Sequence, residues 1–532
     1  MRRSGTIALF ASVSAAVGLF PGVADAVPWP IDNVNQVHRV ANTYGQFQDL
    51  GGLHMHEGID IPAAPGTQVK AVKDGLIVNV HLDAGTPYNQ YITIEDVDDE
   101  HGGWGYVHIA PTAGLANGQS VTAGTVLGTV LAYPGGGFPD HLHFERDADF
   151  NGGWPAFGGG IEHLRDNPLS LLNPATDNVG PTTSDSMLFR RAEDEGNDAT
   201  PKYMTTLSCG YKLIGSRAPN GSGNVDVIAD SFDRFGSFAD KLGIREIRLD
   251  ANGRLTVGND QIPANQTLVD FRTDHFLPNN NNFNDFRSPA LTQVIYEHDS
   301  VALSKQFGPY YHILTNQSQD DGPIVAGNAN YFWDTDGTRG QQWRDNNPAD
   351  RAPNNAKSAF RDDIYTVFAR AFDAASNVGT GVDHVLLDNW LQTVFPDKNV
   401  YDLGETVAAS HGEQYLPSDS VPLFVLQTLP AVCDPIASGG ILASALSNLT
   451  NLDGVLPFSD VWSANMQGDF ILFADYDHDG IFIPELDAYA PFLVVPEPTA
   501  LAATALFTFA IRGPMSRRRR GAVVRIATQR RS

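Results

Sequence analysis

The chain has 532 residues, and its 62 acidic side chains against 35 Lys and Arg give a net charge of −27. This charge disfavours nucleic acid and anionic membrane surfaces as partners, because both would repel an acidic protein. The length is sufficient for about three domains of ordinary size.

The first 26 residues have the composition of a secretory signal peptide. Met1-Arg2-Arg3 precedes an apolar run from Ile7 to Phe20, and Ala24-Asp25-Ala26 supplies the small residues of a cleavage site. We therefore predict an exported protein that resides in the periplasm, at the cell surface or in the extracellular matrix.

Residues 27–175 are predicted to form a compact antiparallel β domain. Short apolar runs rich in β-branched residues are separated by Gly and Pro, which is typical of short strands. These runs are Val69 to Val72, Leu76 to Val80, Gln90 to Ile94 and Thr125 to Leu131.

Histidines are concentrated in this domain, since seven of the fifteen lie between His54 and His143. The turn-rich segment before His141-Leu142-His143 predicts a strand, in which both imidazoles lie on one face. His56 and Asp60 are four residues apart, but Gly58 argues against a helix there. Two imidazoles and one carboxylate are the ligands of a hydrolytic zinc site that leaves a fourth position for water.

Several separated motifs here are similar to those of the lysostaphin/LytM-type zinc endopeptidases. The similarity covers roughly residues 50–175, and its number of ordered motifs makes it specific. The motifs are His56-Glu57-Gly58-Ile59-Asp60-Ile61, Pro65-Gly66-Thr67-Gln68-Val69-Lys70-Ala71, Asp74-Gly75, Tyr106-Val107-His108, Gly118-Gln119-Ser120-Val121, Gly124 and His141-Leu142-His143-Phe144-Glu145.

The resemblance implies that His56, Asp60 and His143 bind one Zn²⁺. It implies that His108 and His141 form a catalytic pair, acting as acid/base and oxyanion stabiliser in an order that the sequence leaves open. Peptidoglycan cross-links, or another peptide, would be the substrate. The alternative is a catalytically silent cell-surface protein that keeps this fold for wall binding or regulation.

Four other residues with polar rings lie near these motifs. His54 forms a second H-x-H pair with His56 and makes the ligand assignment ambiguous. We expect His54, His81 and His101 at the rim or surface, and Tyr106 as a support of the site.

Residues 176–389 and 390–494 are predicted to form two immunoglobulin-like or related β-sandwich domains, so that the whole chain is mainly β. Alternating polar and apolar runs, such as Ile364 to Arg370, are typical of half-exposed strands. Cys209 and Cys433 are far apart in sequence, and we expect them to stay unpaired although an exported protein would allow a disulfide.

Asp475, Asp477 and Asp479 begin a segment with the opening pattern of a Ca²⁺-binding loop. Position twelve of that loop would be Leu486, where a bidentate carboxylate is required. An ordinary Asp-rich turn is therefore our interpretation, with Ca²⁺ binding as the alternative.

Residues 495–532 are similar to PEP-CTERM sorting signals. They contain Val495-Pro496-Glu497-Pro498, an apolar run of thirteen residues from Thr499 to Ile511, and Arg517 to Arg520. Thirteen residues are short of the ~20 that span a bilayer, so we predict a transient membrane anchor. The resemblance implies processing by an exosortase-like enzyme and allows a surface polysaccharide as a further partner.

Overall fold

The computed structural model describes residues 26–97, 102–134, 138–147, 165–175, 177–192, 203–204, 206–218, 223–253, 267–272, 288–316, 333–335, 362–389, 392–412, 421–447, 458–476 and 479–496. Strands account for 46% and helices for 6% of the structure, which confirms the prediction of a mainly β protein. Residues 1–25 of the predicted signal peptide, residues 497–532 of the predicted sorting signal, His101 and Asp477 lie outside the described residues.

The N-terminal unit consists of three antiparallel sheets. Its strands are β1 (Phe47–Gln48), β2 (His54–Met55), β3 (Ile59–Pro62), β4 (Gln68–Lys70), β5 (Gly75–His81), β6 (Tyr91–Asp96), β7 (Gly103–Val107), β8 (Ile109–Pro111), β9 (Ser120–Val121), β10 (Val126–Val130), β11 (His141–Asp147) and β12 (Arg165–Asp166). The largest sheet has the order β12-β11-β7-β6-β5-β9, with β3 paired to β11. A second sheet has the order β4-β10-β8, and β1 pairs with β2. Two 3-10 turns, Pro87–Asn89 and Pro168–Ser170, complete the unit.

Alternation along β11 separates the core from the site. Leu142 and Phe144 are fully buried in the hydrophobic core, where the Phe144 ring stacks on Trp104 with centroids 5.2 Å apart. His141 and His143 lie on the opposite face, as the strand period of two predicts. The core side of β11 thereby fixes the orientation of both imidazoles.

The middle unit packs two five-stranded sheets around one core. Its strands are β13 (Thr182–Thr183), β14 (Leu188–Arg191), β15 (Lys212–Ile214), β16 (Asn224–Phe232), β17 (Glu246–Gly253), β18 (Thr267–Arg272), β19 (Tyr311–Ile313), β20 (Trp333–Asp334), β21 (Asp363–Phe372) and β22 (Val378–Leu387), with helix α1 (Pro289–Ile295) and a 3-10 turn at Leu314–Asn316. In one sheet β16 pairs with β13, β14, β19 and β20, and the other has the order β15-β22-β21-β17-β18. Apolar residues of both sheets meet in the core between them.

The C-terminal unit has a similar two-sheet arrangement. Its strands are β23 (Thr393–Pro396), β24 (Val400–Asp402), β25 (Thr406–Gly412), β26 (Pro422–Leu426), β27 (Ile441–Leu446), β28 (Ser459–Ser463), β29 (Gly468–Ala474) and β30 (Ala488–Val495), with a 3-10 turn at Ile436–Gly439. The sheets have the orders β23-β25-β28 and β24-β30-β29-β26-β27. Among the described residues, no helix is long and apolar enough to span a membrane.

The three units share apolar contacts, although no strand ladder in the described part of the chain joins them. Tyr44, Phe47 and Met55 of the N-terminal unit belong to the core of the middle unit. The expectation of unpaired cysteines is wrong, because Cys209 and Cys433 form a disulfide with Cα atoms 5.4 Å apart. The disulfide links the middle unit to the C-terminal unit. Packing of these two units against each other brings Cys209 and Cys433 together.

Candidate metal centre

Two paired strands and the turn before them bring His56, Asp60 and His143 together. His143 on β11 lies directly opposite Asp60 on β3 in the antiparallel ladder. His56 stands in the turn that enters β3, and Gly58 in that turn passes so close to the Phe144 carbonyl oxygen that a Cβ there would lie 2.4 Å from it. A glycine is therefore required to bring His56 against the sheet.

The three side chains present donor atoms to one point. His56 Nε2 lies 3.1 Å from Asp60 Oδ1 and 3.0 Å from His143 Nδ1, and His143 Nδ1 lies 2.8 Å from Asp60 Oδ1. All three residues are buried, with 3–8% exposure. Within the described residues they form one of two groups that could hold a metal ion.

The acceptors around the rings fix which nitrogen of each histidine carries the proton. His56 Nδ1 donates to the carbonyl oxygen of Thr43 at 3.1 Å, and His143 Nε2 donates to Glu145 Oε1 at 2.8 Å. Asn42 Nδ2 donates to Asp60 Oδ2 at 2.7 Å. With a metal bound, each outer partner would leave the inner nitrogen or oxygen as the electron-pair donor, which is the usual arrangement around metal ligands.

This donor set fits zinc. Tetrahedral coordination with bonds of about 2.0–2.1 Å separates ligand atoms by about 3.3 Å, close to the separations seen here. Burial alone would lower the pKa of His143, but its hydrogen bonds to Asp60 and Glu145 raise this pKa to about 10. Zinc binding at neutral pH would therefore release the Nδ1 proton.

His108 and His141 stand beside the donor set. Their rings are 4.9 Å apart edge to face, and His141 Nε2 lies 3.5 Å from Asp60 Oδ1. His108 Nδ1 donates to the Tyr88 carbonyl oxygen at 2.9 Å, and His141 Nδ1 donates to the Pro139 carbonyl oxygen at 2.9 Å. Each ring consequently keeps Nε2 as a proton acceptor.

Burial keeps both of these imidazoles neutral. It lowers the pKa of His108 to about 3, with the neighbouring His141 and His143 charges acting in the same direction. It also lowers the pKa of His141, against the opposing charge of Asp60. Both rings can therefore accept a proton at neutral pH.

The structure places Tyr106, our predicted support of the site, in the hydrophobic core. The tyrosine is fully buried in the core, and its hydroxyl accepts the N–H of Val72 at 3.0 Å. In a regular strand Tyr106 and His108 would share a face, but β7 ends at Val107 and His108 has a φ of 65°. This left-handed residue turns the imidazole to the site while Tyr106 stays in the core.

The other predicted residues lie in different places. His54 is 5% exposed, lines the cleft above the donor set and contacts the Gly52 carbonyl oxygen through Nδ1 at 2.7 Å. His81 stacks on Tyr91 away from the cleft. Asp475 and Asp479 accept backbone N–H groups of their own turn, Asp475 from Asp479 and Gly480 and Asp479 from Ile481. These contacts are those of an Asp-rich turn, and Ca²⁺ binding there stays the untested alternative.

Tyr88, which no sequence motif indicated, contacts both catalytic candidates. Its ring stacks on His108 with centroids 4.0 Å apart, and its hydroxyl lies 3.2 Å from His141 Nδ1. Burial raises the pKa of Tyr88, so that the hydroxyl keeps its proton. Tyr88 belongs to a 3-10 turn outside the quoted motifs. Its aromatic side chain next to Asn89 is the one sequence signal that could have indicated it.

The middle unit supports the candidate metal centre through Gln46, which no sequence pattern indicated either. Gln46 Nε2 donates to Asn42 Oδ1 at 2.8 Å and to the Gln306 carbonyl oxygen at 3.0 Å. Gln46 Oε1 accepts the N–H of Gly243 at 3.1 Å, and Tyr296 donates its hydroxyl proton to the Gly45 carbonyl oxygen at 2.8 Å. The segment that holds the Asp60 and His56 partners is thus attached to the neighbouring unit.

Replacing Gln46 with alanine is expected to weaken zinc binding by about 10- to 100-fold, because Asn42 loses the partner that aims it at Asp60. Competition against a chromophoric chelator measures the affinity. The exposed Gln427→Ala in the C-terminal unit is the matched control and should bind as the parent does. Equal affinity of Gln46→Ala and the parent would contradict this role.

The cleft over the donor set has a volume of about 390 Å³. Its walls come from the N-terminal unit and from Gln306 of the middle unit. Phe307, which follows Gln306, stacks on Phe138 with centroids 5.9 Å apart, and Phe138 meets the His141 ring at 4.7 Å. A ligand in the cleft would therefore lie between the donor set and the middle unit.

Comparison with known families agrees with the donor set. Residues 54–152 match peptidase family M23, which indicates a metallopeptidase domain in this part of the chain. No curated protein matches the chain.

Solved structures with low similarity were also found. Csd3 from Helicobacter pylori is 20% identical over 25% of this chain and 34% of that chain, with a TM-score of 0.19. A zinc-containing peptidase from Vibrio cholerae is 24% identical over 23% and 36%, with a TM-score of 0.19. A variant of the catalytic domain of the prophage-encoded M23 protein EnpA from Enterococcus faecalis is 23% identical over 24% and 87%, with a TM-score of 0.18. The chain spans about a third of the length of the first two structures.

Proposed function

We propose that the N-terminal unit is a zinc metalloendopeptidase that hydrolyses the peptide cross-links of peptidoglycan. The observation that carries the proposal is the convergence of His56 Nε2, Asp60 Oδ1 and His143 Nδ1 beside two neutral histidines. The match to peptidase family M23 supports the reaction class. The lysostaphin/LytM-type motifs support the substrate class.

In this proposal His56, Asp60 and His143 hold the zinc ion. A zinc ion bound there would lower the pKa of its water to about 7 and polarise a carbonyl group. His108 and His141 supply the remaining functions, since each presents Nε2 and is held in place by a backbone carbonyl. One accepts the proton of the attacking water at Nε2 and delivers it to the leaving amine, and the other, protonated at Nε2 from solvent, stabilises the oxyanion.

The cellular setting is part of the proposal and rests on the terminal sequences alone. The protein is exported, is held transiently at the membrane by its C-terminal apolar run and is released by an exosortase-like enzyme. The two β units after the peptidase unit would place it at the cell surface, with surface polysaccharide as a binding partner. Its strongly acidic character suits an extracellular protein.

The test is metal analysis of the purified full chain, combined with digestion of isolated peptidoglycan with and without a zinc chelator. One equivalent of zinc and chelator-sensitive release of peptide fragments is the expected result, and mass spectrometry of the fragments identifies the bond. Zinc without cleavage would favour the catalytically silent wall-binding protein. A chain without zinc affinity would overturn the proposal.

Replacing Phe307 with alanine should lower kcat/KM for peptide substrates by about tenfold without changing the zinc content, because it removes apolar surface beside the cleft. Phe395→Ala is the control, since Phe395 and Phe307 are both 53% exposed and Phe395 lies in the C-terminal unit. Unchanged kinetics of the Phe307 variant would show that the Phe307 ring does not contact the substrate.

A further inference from the structure

Three aspartates meet where the N-terminal unit joins the middle unit. Asp177 lies in the segment between the two units, Asp233 follows the end of β16, and Asp373 follows the end of β21. One oxygen of each carboxylate lies within 4.8 Å of the others. Exposure is 8% for Asp177, 6% for Asp233 and 2% for Asp373.

The carboxylates have few partners for groups so deeply buried. Asp177 Oδ1 accepts the N–H groups of Val179 and Gly236 at 3.1 and 3.2 Å. Asp373 accepts the backbone N–H of Asn377 at 2.8 Å and its side-chain amide at 2.7 Å. Asp233 Oδ1 is buried without any hydrogen-bond partner.

Two arginines lie near the cluster, but Arg245, which lines the adjoining cavity, forms its salt bridge with Glu246. Within the described residues, no lysine or arginine forms a salt bridge with any of the three aspartates. Arg234 is the cation that acts on Asp233 electrostatically, but its guanidinium lies over the Phe232 ring, 4.8 Å from the centroid. Burying carboxylates that lack a counter-charge is unfavourable, and a bound cation is a common way to offset that cost.

The cluster opens into a cavity of about 340 Å³ between the two units. Its lining includes Asp177 and Asp233 together with Thr43, Asn167 and Leu169 of the N-terminal unit. This space accommodates an ion together with coordinating water molecules.

We infer that Asp177, Asp233 and Asp373 bind one Ca²⁺ ion at this junction. All the donors are oxygens, which hard cations prefer, and the cluster contains no histidine or cysteine that would select zinc. Ca²⁺ bonds of about 2.3–2.6 Å can bridge oxygens up to about 4.8 Å apart, and the ion tolerates irregular geometry completed by water. The bound ion joins the inter-unit segment to the ends of two strands in opposite sheets of the middle unit.

The test is calcium titration of the full chain after metal removal and reloading with one equivalent of zinc. We expect calorimetry to show one Ca²⁺ bound at the junction, and saturating Ca²⁺ to raise Tm by about 5 °C. Asp233→Asn should weaken this binding at least tenfold and lose the Tm shift. In calcium-free buffer the same variant should melt at or above the temperature of the parent, because a buried charge has been removed.

Asp479→Asn is the matched control, since it removes a carboxylate from the acidic turn of the C-terminal unit and should keep the junction binding and Tm shift. If Asp233→Asn does not fold, Asp373→Asn replaces it with the same expectation. Identical calcium isotherms of the parent and the folded junction variants would overturn the inference. So would a parent chain that binds no Ca²⁺ at the junction, which would mean that protons neutralise the carboxylates instead. Zinc content and hydrolysis are measured separately, so the outcome does not depend on the proposed peptidase activity.

Discussion

Replacing Asp60 with alanine is expected to abolish zinc binding and peptide hydrolysis together. Asp60 Oδ1 lies 2.8 Å from His143 Nδ1 and 3.1 Å from His56 Nε2, and it is the single carboxylate among the donors. Loss of an outer partner of a metal ligand already costs about 10- to 100-fold in affinity, so loss of the ligand itself should cost more than about 100-fold. Zinc content by elemental analysis and the rate of peptide release are measured on the same preparation.

Asp49→Ala is the control for this variant, because Asp49 is exposed and belongs to the same unit. It should keep both zinc and activity. A zinc-loaded Asp60→Ala protein would show that the ligand set is wrongly assigned. Hydrolysis by a zinc-free Asp60→Ala protein would show that the reaction does not use the metal.

In contrast to Asp60→Ala, the His141→Ala variant should keep its zinc, while its kcat should fall by about 10²- to 10⁴-fold. The His141 ring lies next to the donor set. Its Nδ1 donates a hydrogen bond to the Pro139 carbonyl oxygen, and its Nε2 is 3.5 Å from Asp60 Oδ1. It can therefore transfer protons without serving as a ligand. His108→Ala should behave in the same way, and the double variant should be little worse than either single one if the pair acts as a unit.

Steady-state kinetics and zinc stoichiometry distinguish these roles. His81→Ala is the control, since His81 stacks on Tyr91 outside the cleft and should leave both quantities unchanged. If the His141→Ala protein bound no zinc, His141 would have to be a ligand in place of one of the three assigned residues.

The strand pattern around the site could be predicted because it is local. His141 and His143 share a face with Leu142 behind them, as a period of two requires, and the predicted strands near Leu76 and Gln90 correspond to β5 and β6. Ordered motifs then provided the ligand candidates, and the structure brings all three together.

The supporting residues could not be predicted in this way because their contacts are not periodic. Gln46 and Gln306 are 260 positions apart, and neither belongs to an apolar pattern. The φ of 65° at His108 interrupts the alternation that would have placed Tyr106 at the site. Cys209 and Cys433 are separated by 224 positions, and only the packing of two units places them in contact.

The contacts of Gln46 and Gly45 with the middle unit bear on how this gene could recombine. A peptidase segment cut at residue 175 would leave Gln306, Gly243 and Tyr296 behind, and Tyr44, Phe47 and Met55 would lose the apolar core that covers them. Exchange of this segment into another protein would therefore carry over the candidate zinc ligands but not the surroundings that orient them. Inheritance of the two units as a single block preserves both.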